Sequence, residues 1–218
     1  MIKLETHCHS KPSSRCGRIT VDIILPQLKA KGYDAVVLTN HYYGDDARTP
    51  QQIFDEMVRD YEDMKRLGVQ HGVKVFFGAE LRYVCDGAND YLLYGMTPQE
   101  LLEMGDIYYQ GPKDFYRTKP EYVIVYQAHP FRDKMTRADP EFLDGIEVYN
   151  GHPNHDARNH LALEWARKHG KHKLSGSDTH FEEGIGRGGV FLPRMPEDER
   201  DLARLILGVT ESDLIITP

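Results

Sequence analysis

Five short segments of the chain carry residues whose types and spacing suit metal binding. They are His7-Cys8-His9, Thr39-Asn40-His41, Gly78-Ala79-Glu80, Gln127-Ala128-His129-Pro130 and Ser177-Asp178-Thr179-His180. Each segment places a histidine or a carboxylate at or just past the end of a short apolar run. Imidazole and carboxylate groups together suit Zn, Mn or Fe better than Ca. The pattern therefore predicts a metal-dependent hydrolase whose site holds more than one divalent ion.

The spacing of these segments predicts that their side chains converge. Alternate side chains of a β-strand point the same way, so His7 and His9 can face one point. In a barrel of parallel strands, the carboxyl ends of the strands gather on one face. A lone histidine at a strand end is usually structural, so the prediction rests on the clustering. The predicted metal ligands are His7, His9, His41, Glu80, His129, Asp178 and His180.

Strand and helix signals alternate along the chain. This alternation predicts a mostly parallel sheet with helical crossovers, in a single domain over residues 1–218. The clearest helix begins at Thr49-Pro50, a preferred N-cap followed by proline at the first position, and its apolar stripe predicts an end at Gly68. A later helix is predicted over 154–169.

Two further features follow predicted strands or ligand segments. The glycine-rich segment 184–189 comes after the last ligand segment and does not open a helix after a strand. We therefore interpret it as a flexible active-site loop rather than a dinucleotide-binding loop. His152 and His155 follow a predicted strand, so they are candidates for the wall of the same pocket.

Composition limits the classes of partner and compartment. The chain has 218 residues, of which 40% are apolar, and a formal net charge of −7. The negative charge argues against a long nucleic acid as partner but allows a small phosphorylated substrate. The cysteines Cys8, Cys16 and Cys85 suggest no disulfide framework, which favours the cytoplasm. Neither a secretory signal nor an apolar run of roughly 20 residues is visible, so no membrane partner is expected. The oligomeric state is left open.

The order and spacing of the motifs resemble the polymerase and histidinol phosphatase (PHP) family. The resemblance extends from Leu4 to about His180. It is carried by Glu5-Thr6-His7-Cys8-His9, Leu38-Thr39-Asn40-His41, Gly78-Ala79-Glu80, Ala128-His129-Pro130, Gly145-Ile146-Glu147-Val148-Tyr149-Asn150 and Gly176-Ser177-Asp178-Thr179-His180. It implies an α/β fold, a distorted TIM-like (β/α)7 barrel, with two or three divalent metal ions.

The resemblance also implies how the ligands are shared and what the site does. One metal would be surrounded by His7, His9, Glu80 and Asp178. A second would be held by His41 and His180, and Glu80 would bridge towards a third with His129. The implied activity is hydrolysis of phosphoesters, commonly phosphomonoesters, by a metal-bridged hydroxide.

Three positions depart from the family pattern. Cys16 stands before Gly17 where the family usually has a carboxylate or a histidine, and the stretch 89–95 lacks the histidine that often follows the glutamate segment. Thiolate and carboxylate both bind such metals, so Cys16 and Asp90 are candidate substitutes, while an ordinary loop thiol stays open for Cys16. Asn40 replaces the usual aspartate before His41, which removes a negative charge near the second metal.

The leading interpretation is a PHP-type phosphoesterase that acts on a small phosphorylated substrate. Asp178 or His180 would assist proton transfer, and Arg132, Arg187 and Arg15 are the candidates for binding the substrate phosphate. Three alternatives stay open: exonuclease-like hydrolysis of short oligonucleotides, a non-catalytic metal-containing protein that binds phosphorylated ligands, and an amide hydrolase on the same barrel. For the last of these, the lysine ligand that such enzymes carry at a strand end is not apparent.

Overall fold

The computed structural model describes residues 1–43 and 47–217. Within these ranges the strands are β1 (Ile2–Cys8), β2 (Ala35–Leu38), β3 (His41–Tyr43), β4 (Lys74–Phe77), β5 (Ala79–Arg82), β6 (Tyr91–Tyr94), β7 (Ile124–Gln127), β8 (Gly145–Asn150), β9 (His172–Gly176), β10 (Gly188–Leu192) and β11 (Leu214–Ile216). The helices are α1 (Val21–Ala30), α2 (Pro50–His71), α3 (Pro98–Glu103), α4 (Pro112–Thr118), α5 (Asn159–Lys168) and α6 (Glu199–Leu207). The fold is therefore mixed α/β, as predicted.

The strands form two mixed sheets. One has five strands in the order β11-β10-β1-β2-β4, and the other has six in the order β3-β5-β6-β7-β8-β9. In the first, β10 is antiparallel to both β1 and β11; in the second, β6 is antiparallel to both β5 and β7. The pairings of β6 and β10 thus depart from the predicted parallel arrangement, while the other five pairings among the described strands are parallel. The connection between β5 and β6 is too short for a helical crossover, which needs a dozen or more residues.

The two sheets meet at the end where the predicted ligands lie. Only Gly78 separates β4 from β5, so the chain passes directly from one sheet to the other. On the far side, the backbone N–H of His9 donates to the Thr179 carbonyl at 3.1 Å, and the Thr179 N–H donates to the His7 carbonyl at 3.3 Å. These bonds tie β1 to the segment after β9. The closed (β/α)7 barrel stays a prediction.

The core lies on both faces of the central strands. Strand β2 shows this directly, because Ala35 and Val37 belong to one apolar cluster with Leu4, while Val36 and Leu38 belong to another. All four side chains of β2 are buried. A strand covered on both faces has a continuous apolar run rather than an alternating one, and this explains the sequence of β2.

Helix α2 is longer than its sequence signals predict. Thr49 caps its first turn through a capping box, as predicted. The helix continues through Gly68, where a Cβ atom would lie 2.4 Å from the Val73 carbonyl oxygen, so this glycine permits close packing rather than ending the helix. The end comes at Gly72, which has the left-handed φ of 64°. No helix in the described part of the chain is long and apolar enough to cross a bilayer.

Helix α5 is shorter at its start than the predicted range 154–169. It spans Asn159–Lys168 and is preceded by Arg158 in the left-handed region, with φ of 48°. The side chain of Asn159 accepts from the Asn150 N–H at 2.9 Å and donates to the Asn150 carbonyl at 3.2 Å. These two hydrogen bonds to the end of β8 fix where the helix begins, and the residues before Asn159 form a loop.

Candidate metal centre

The predicted ligands come together at one end of the strands. His7 lies in β1, His41 begins β3, and Glu80 lies in β5 directly opposite His41 in the parallel pair. His129 lies just after β7, and Asp178 just after β9. The convergence inferred from strand ends therefore holds in the structure.

The potential ligand atoms form three groups whose members lie within 4.8 Å of one another. We call these groups site A, site B and site C, formed respectively by His7, His9 and Asp178; by His9, His41 and His180; and by His7, Glu80 and His129. All seven predicted ligands thus belong to one connected centre. His9 links site A to site B, and His7 links site A to site C.

The donor atoms of site A face one another across a short distance. His7 Nδ1 donates to Glu147 Oε1 at 2.8 Å, so the lone pair of His7 is on Nε2. That Nε2 lies 3.0 Å from His9 Nε2 and 3.6 Å from Asp178 Oδ1. His9 Nδ1 is bonded to Ser14 Oγ at 3.2 Å, which leaves its Nε2 facing the same point. Two imidazole nitrogens and a carboxylate oxygen that face one another fit a bound divalent metal.

The electrostatics of the centre favour positive charge. Burial by itself lowers the pKa of His7, but the carboxylates of Glu147, Asp178 and Glu80 outweigh it and raise that pKa well above its usual value. Burial raises the pKa of Asp178, yet His7 and Arg132 outweigh it and hold that pKa well below its usual value. The centre therefore keeps ionised carboxylates in a buried place, where a metal ion would compensate them.

Site B contains the unusual cysteine. His180 Nδ1 donates to the Asp178 carbonyl at 3.0 Å, which leaves its Nε2 facing Cys16 Sγ at 2.9 Å. His41 Nδ1 lies 3.6 Å from the same sulfur. Burial raises the pKa of the Cys16 thiol, but hydrogen bonds with His180 and His41 outweigh burial and lower that pKa to about 6. The structure therefore places a thiol with a lowered pKa among the imidazoles of site B.

Asp90, the other candidate substitute, is engaged by an arginine. Its Oδ1 accepts from Arg82 Nε at 2.8 Å, and its Oδ2 accepts from Arg82 Nη2 at 2.9 Å. The same Oδ2 lies 3.9 Å from His129 Nε2, which places Asp90 beside site C. Burial and the neighbouring Glu80 raise the pKa of Asp90, and the Arg82 guanidinium opposes them. Asp90 thus reaches the centre as half of an ion pair.

Sequence reasoning assigned no role to Glu147, which supports two predicted ligands. Its Oε1 accepts from His7 Nδ1, and its Oε2 accepts from the His129 N–H at 3.0 Å and from Asn150 Nδ2 at 2.9 Å. A carboxylate behind a metal-binding imidazole fixes the tautomer and orientation of the ring. The available signal was an acidic residue inside the buried strand β8.

Glu5 is a second buried carboxylate that lies behind the centre. Its Oε1 accepts from the backbone N–H groups of Thr6, His7 and Ser177 at 3.0, 3.1 and 3.0 Å. Burial raises the pKa of Glu5 to about 7, although the hydrogen bonds from Ser177 and His7 oppose that rise. Glu5 therefore joins β1 to the segment that carries Asp178.

The amide of Asn40 has a structural role. Its Oδ1 accepts from the Ser10 N–H at 2.8 Å and from Ser14 Oγ at 2.9 Å. The Ser10 hydroxyl donates to Asp60 of α2 at 2.7 Å, and Asn40 Nδ2 lies 3.4 Å from the same carboxylate oxygen. Asn40 and Asp60 thus hold the segment after β1 against α2.

The backbone around the ligands is unusually constrained. His129 and Asp178 both have positive φ, 29° and 51°, a region that non-glycine residues rarely occupy. At Gly176 a Cβ atom would lie 2.4 Å from the Cβ of His7, so only glycine allows β9 to approach the His7 side chain this closely. Strain that clusters at ligand positions is typical of a functional site.

A cavity of about 390 Å³ opens onto the centre, a size that suits a small ligand. It is lined by ligands from all three sites and by His152 and His155, as the sequence suggested for these two histidines. Arg18, Arg82 and Arg132 also line it. Arg132 Nη2 donates to Asn150 Oδ1 at 2.9 Å and to Asp178, so this guanidinium is held in place at the cavity wall.

Two of the three arginines predicted to bind phosphate lie elsewhere. Among the described residues that line the cavity, neither Arg15 nor Arg187 is present. Arg15 is exposed, and the Arg187 N–H donates to Ser177 Oγ at 2.8 Å. The interpretation of 184–189 as a flexible loop is also wrong for its last residues, because Gly188 begins β10 and packs against Gly176. These glycines allow close strand packing.

Comparisons with known proteins show which families and solved structures this chain resembles. A family model described as PHP-associated matches residues 156–208. A two-domain protein from Bacteroides vulgatus, described as containing a predicted PHP-like metal-dependent phosphoesterase, has 21% identity and a TM-score of 0.61, over 94% of this chain and 62% of its own. The chain therefore shares its fold with this PHP-like protein. No curated protein matches its sequence significantly.

Two other solved structures resemble the chain in fold. PsfC from Pseudomonas syringae has 18% identity and a TM-score of 0.70, over 94% of this chain and 87% of its own. The lesion-specific endonuclease PfuEndoQ from Pyrococcus furiosus has 16% identity and a TM-score of 0.63, over 96% of this chain and 56% of its own. The chain therefore spans less than two thirds of the Bacteroides and Pyrococcus proteins. At these identities the likeness establishes the fold.

Proposed function

We propose that the chain is a metal-dependent phosphoesterase that hydrolyses a small phosphomonoester. The observation that carries the proposal is the donor set of site A, in which His7 Nε2, His9 Nε2 and Asp178 Oδ1 face one another within 3.6 Å. The PHP fold and the names of its neighbours agree with this activity. The donors fit Zn, Mn or Fe, and the identity of the metal stays a prediction.

Sites A and B would hold the metal ions. At site A the protein ligands are His7, His9 and Asp178, with Glu80 Oε2 3.5 Å from His9 Nε2. At site B, Cys16 adds its thiolate to the imidazoles of His41 and His180. Bound ions would lower the pKa of a coordinated water and offset the negative charge of the phosphoryl oxygens.

The side chains of the chain itself would orient the substrate and manage protons. Arg132 reaches the cavity while its Nη2 is bonded to Asp178, so its charge is fixed beside site A. A fixed guanidinium suits a phosphoryl oxygen because it donates hydrogen bonds in a planar fork. Asp178 and His180 are the candidates for holding or moving a proton, because both line the cavity and lie at a proposed metal site.

The cavity and the charge favour a small substrate over a long one. A volume of about 390 Å³ accommodates a phosphorylated small molecule, and three arginines lie in its wall. The net charge of −7 opposes a broad surface for nucleic acid. A phosphomonoester is therefore proposed ahead of a short oligonucleotide.

The test is hydrolysis by protein that has been stripped of metal with a chelator and then reloaded. The stripped protein is expected to be folded and inactive, and Mn, Zn or Fe is expected to restore phosphate release from members of a phosphomonoester panel. Short oligonucleotides are assayed beside the panel, and cleavage of these alone would replace the proposed substrate class. Bound metal without turnover of any substrate would overturn the proposal and favour a binding protein.

A further inference from the structure

Arg82 lies beside site C, because it is paired with the Asp90 carboxylate next to His129. Its Nε and Nη2 donate to the two oxygens of Asp90 at 2.8 and 2.9 Å. Asp90 is only 3% exposed, and its Oδ2 lies 3.9 Å from His129 Nε2 of site C. The Asp90 carboxylate, which lies beside site C, is therefore bound through both oxygens by a guanidinium.

The remaining donors of site C are too few for a third ion. His7 Nε2 belongs to site A as well, so an ion in site A would take that lone pair. Site C then keeps Glu80 and His129, whose Oε1 and Nε2 atoms lie 3.3 Å apart. Protein sites for such metals supply at least three ligands. Asp178 Oδ2 also lies 3.9 Å from His129 Nε2, but Asp178 belongs to site A and that oxygen accepts from Arg132. Asp90 is the remaining candidate for a third ligand, and a metal bound to it would lie beside the fixed positive charge of Arg82.

The guanidinium is held on two further sides. The Arg82 Cζ atom lies 4.2 Å from the centre of the Tyr43 ring, an arrangement in which a cation stacks on an aromatic face. Arg82 Nη2 also lies 3.4 Å from the Tyr43 hydroxyl, and that hydroxyl donates to Glu80 Oε2 at 3.0 Å. Tyr43 therefore connects Arg82 to a carboxylate of site C and restricts its movement away from Asp90.

We infer that the Arg82 guanidinium takes the place of a third metal ion, so that the centre holds two ions and one built-in organic cation. This inference rests on the proposed function, because it assumes that sites A and B bind metal. Arg82 also lines the cavity, so its charge faces the place where a phosphoryl group would lie. The proposed role is thus to fix the metal count and to supply positive charge that needs no metal.

The experiment counts the metal ions per folded chain after reloading with excess Mn²⁺ or Zn²⁺ and removal of free metal. Wild type is expected to hold two. Arg82→Met frees Asp90 and is expected to hold three. A second variant, Arg82→Met with Asp90→His, avoids an unpaired buried carboxylate and is also expected to hold three. Arg66→Met is the matched control, because Arg66 pairs with Asp63 at the surface of α2, and it is expected to hold two. Circular dichroism checks folding.

The metal counts distinguish failure of the inference about Arg82 from failure of the proposed function. Three ions in wild type would overturn the inference and leave the proposed function standing. Two ions in wild type and in the folded variants alike would overturn the role of Arg82 in excluding metal. Fewer than two ions in wild type would overturn the proposed function, and the inference would fall with it.

Discussion

The two ends of the metal centre each carry one unusual residue, and the two residues differ in their bonding partners. At the site B end, the Cys16 sulfur lies 2.9 Å from His180 Nε2 and 3.6 Å from His41 Nδ1, so its partners are imidazoles that can themselves bind a metal. At the site C end, Asp90 is bound through both oxygens by Arg82. One substitute thus stays available to a metal, and the other does not.

The difference shows that the type of a residue does not decide whether it binds metal. A carboxylate is an ordinary ligand for these ions, and a loop thiol is often inert. The neighbours reverse this expectation, because imidazoles lower the pKa of the thiol to about 6 while a guanidinium compensates the carboxylate. The charge of the nearest partner is therefore the better guide to the role of each substitute.

The largest effect is expected at site A, which both ends share. Asp178→Asn removes the carboxylate but keeps the shape, and asparagine tolerates the left-handed φ of 51° at this position. Turnover is expected to fall by more than about 100-fold, since even partners behind the ligands are worth 10–100-fold. Phosphate release and circular dichroism measure the two consequences. A folded variant with full activity would remove Asp178 from the site.

Smaller effects, on metal binding, are expected from single substitutions at Cys16 and Asp90. Together these two substitutions compare the site B end with the site C end. Cys16→Ser is expected to weaken binding of the second ion by at least about tenfold, because a thiolate ligand is lost. Asp90→Asn is expected to leave the metal count unchanged. Reloading with Co²⁺ gives a readout independent of activity, because thiolate bound to Co²⁺ absorbs in the near ultraviolet.

Cys85→Ser is the control for the thiol experiment. Cys85 is exposed and is not among the described residues that line the cavity. Its replacement is therefore expected to preserve the Co²⁺ absorption. Wild type and Cys85→Ser should share the band, and Cys16→Ser should lose it. A band that survives in Cys16→Ser would mean that the two ends do not differ in the way described.

The smallest effect on activity is expected at Glu5, which binds at neither end. Its folded-state pKa of about 7 lies above the ordinary 4.5, so protonated Glu5 stabilises the fold at low pH and this contribution is lost as pH rises through about 7. In metal-free protein, the free energy of unfolding of Glu5→Gln relative to wild type should rise by about 3 kcal/mol between low pH and pH 8. Denaturant unfolding measures it, and a difference independent of pH would refute the assignment.

The sequence was sufficient to predict which side chains converge, because short local segments mark each of them and the clustering of those segments singles them out. His7 and His9 have the two-residue spacing of side chains on one face of a strand. His129 and Asp178 follow apolar runs that correspond to β7 and β9 in the structure. The cap of α2 at Thr49 was equally local. Such signals need no knowledge of which strands pair.

The features that the sequence did not predict depend on residues far apart in the chain. Glu147 meets His7 across 140 positions, and no local pattern links the two. The division into two mixed sheets depends on which strands pair, and this is not visible in any one segment. Gly188, which we predicted to lie in a flexible loop, begins β10 because it packs closely against Gly176. The Arg82–Asp90 pair spans only eight positions, but its meaning appears only once His129 is seen beside it.

The most direct test of the central claim is a metal titration of metal-free wild-type protein, with bound metal and phosphate release measured in the same samples. The account predicts that release of phosphate from a phosphomonoester appears as the second ion binds and does not rise further with added metal. Activity that requires a third ion, or no phosphate release at any metal content, would contradict it.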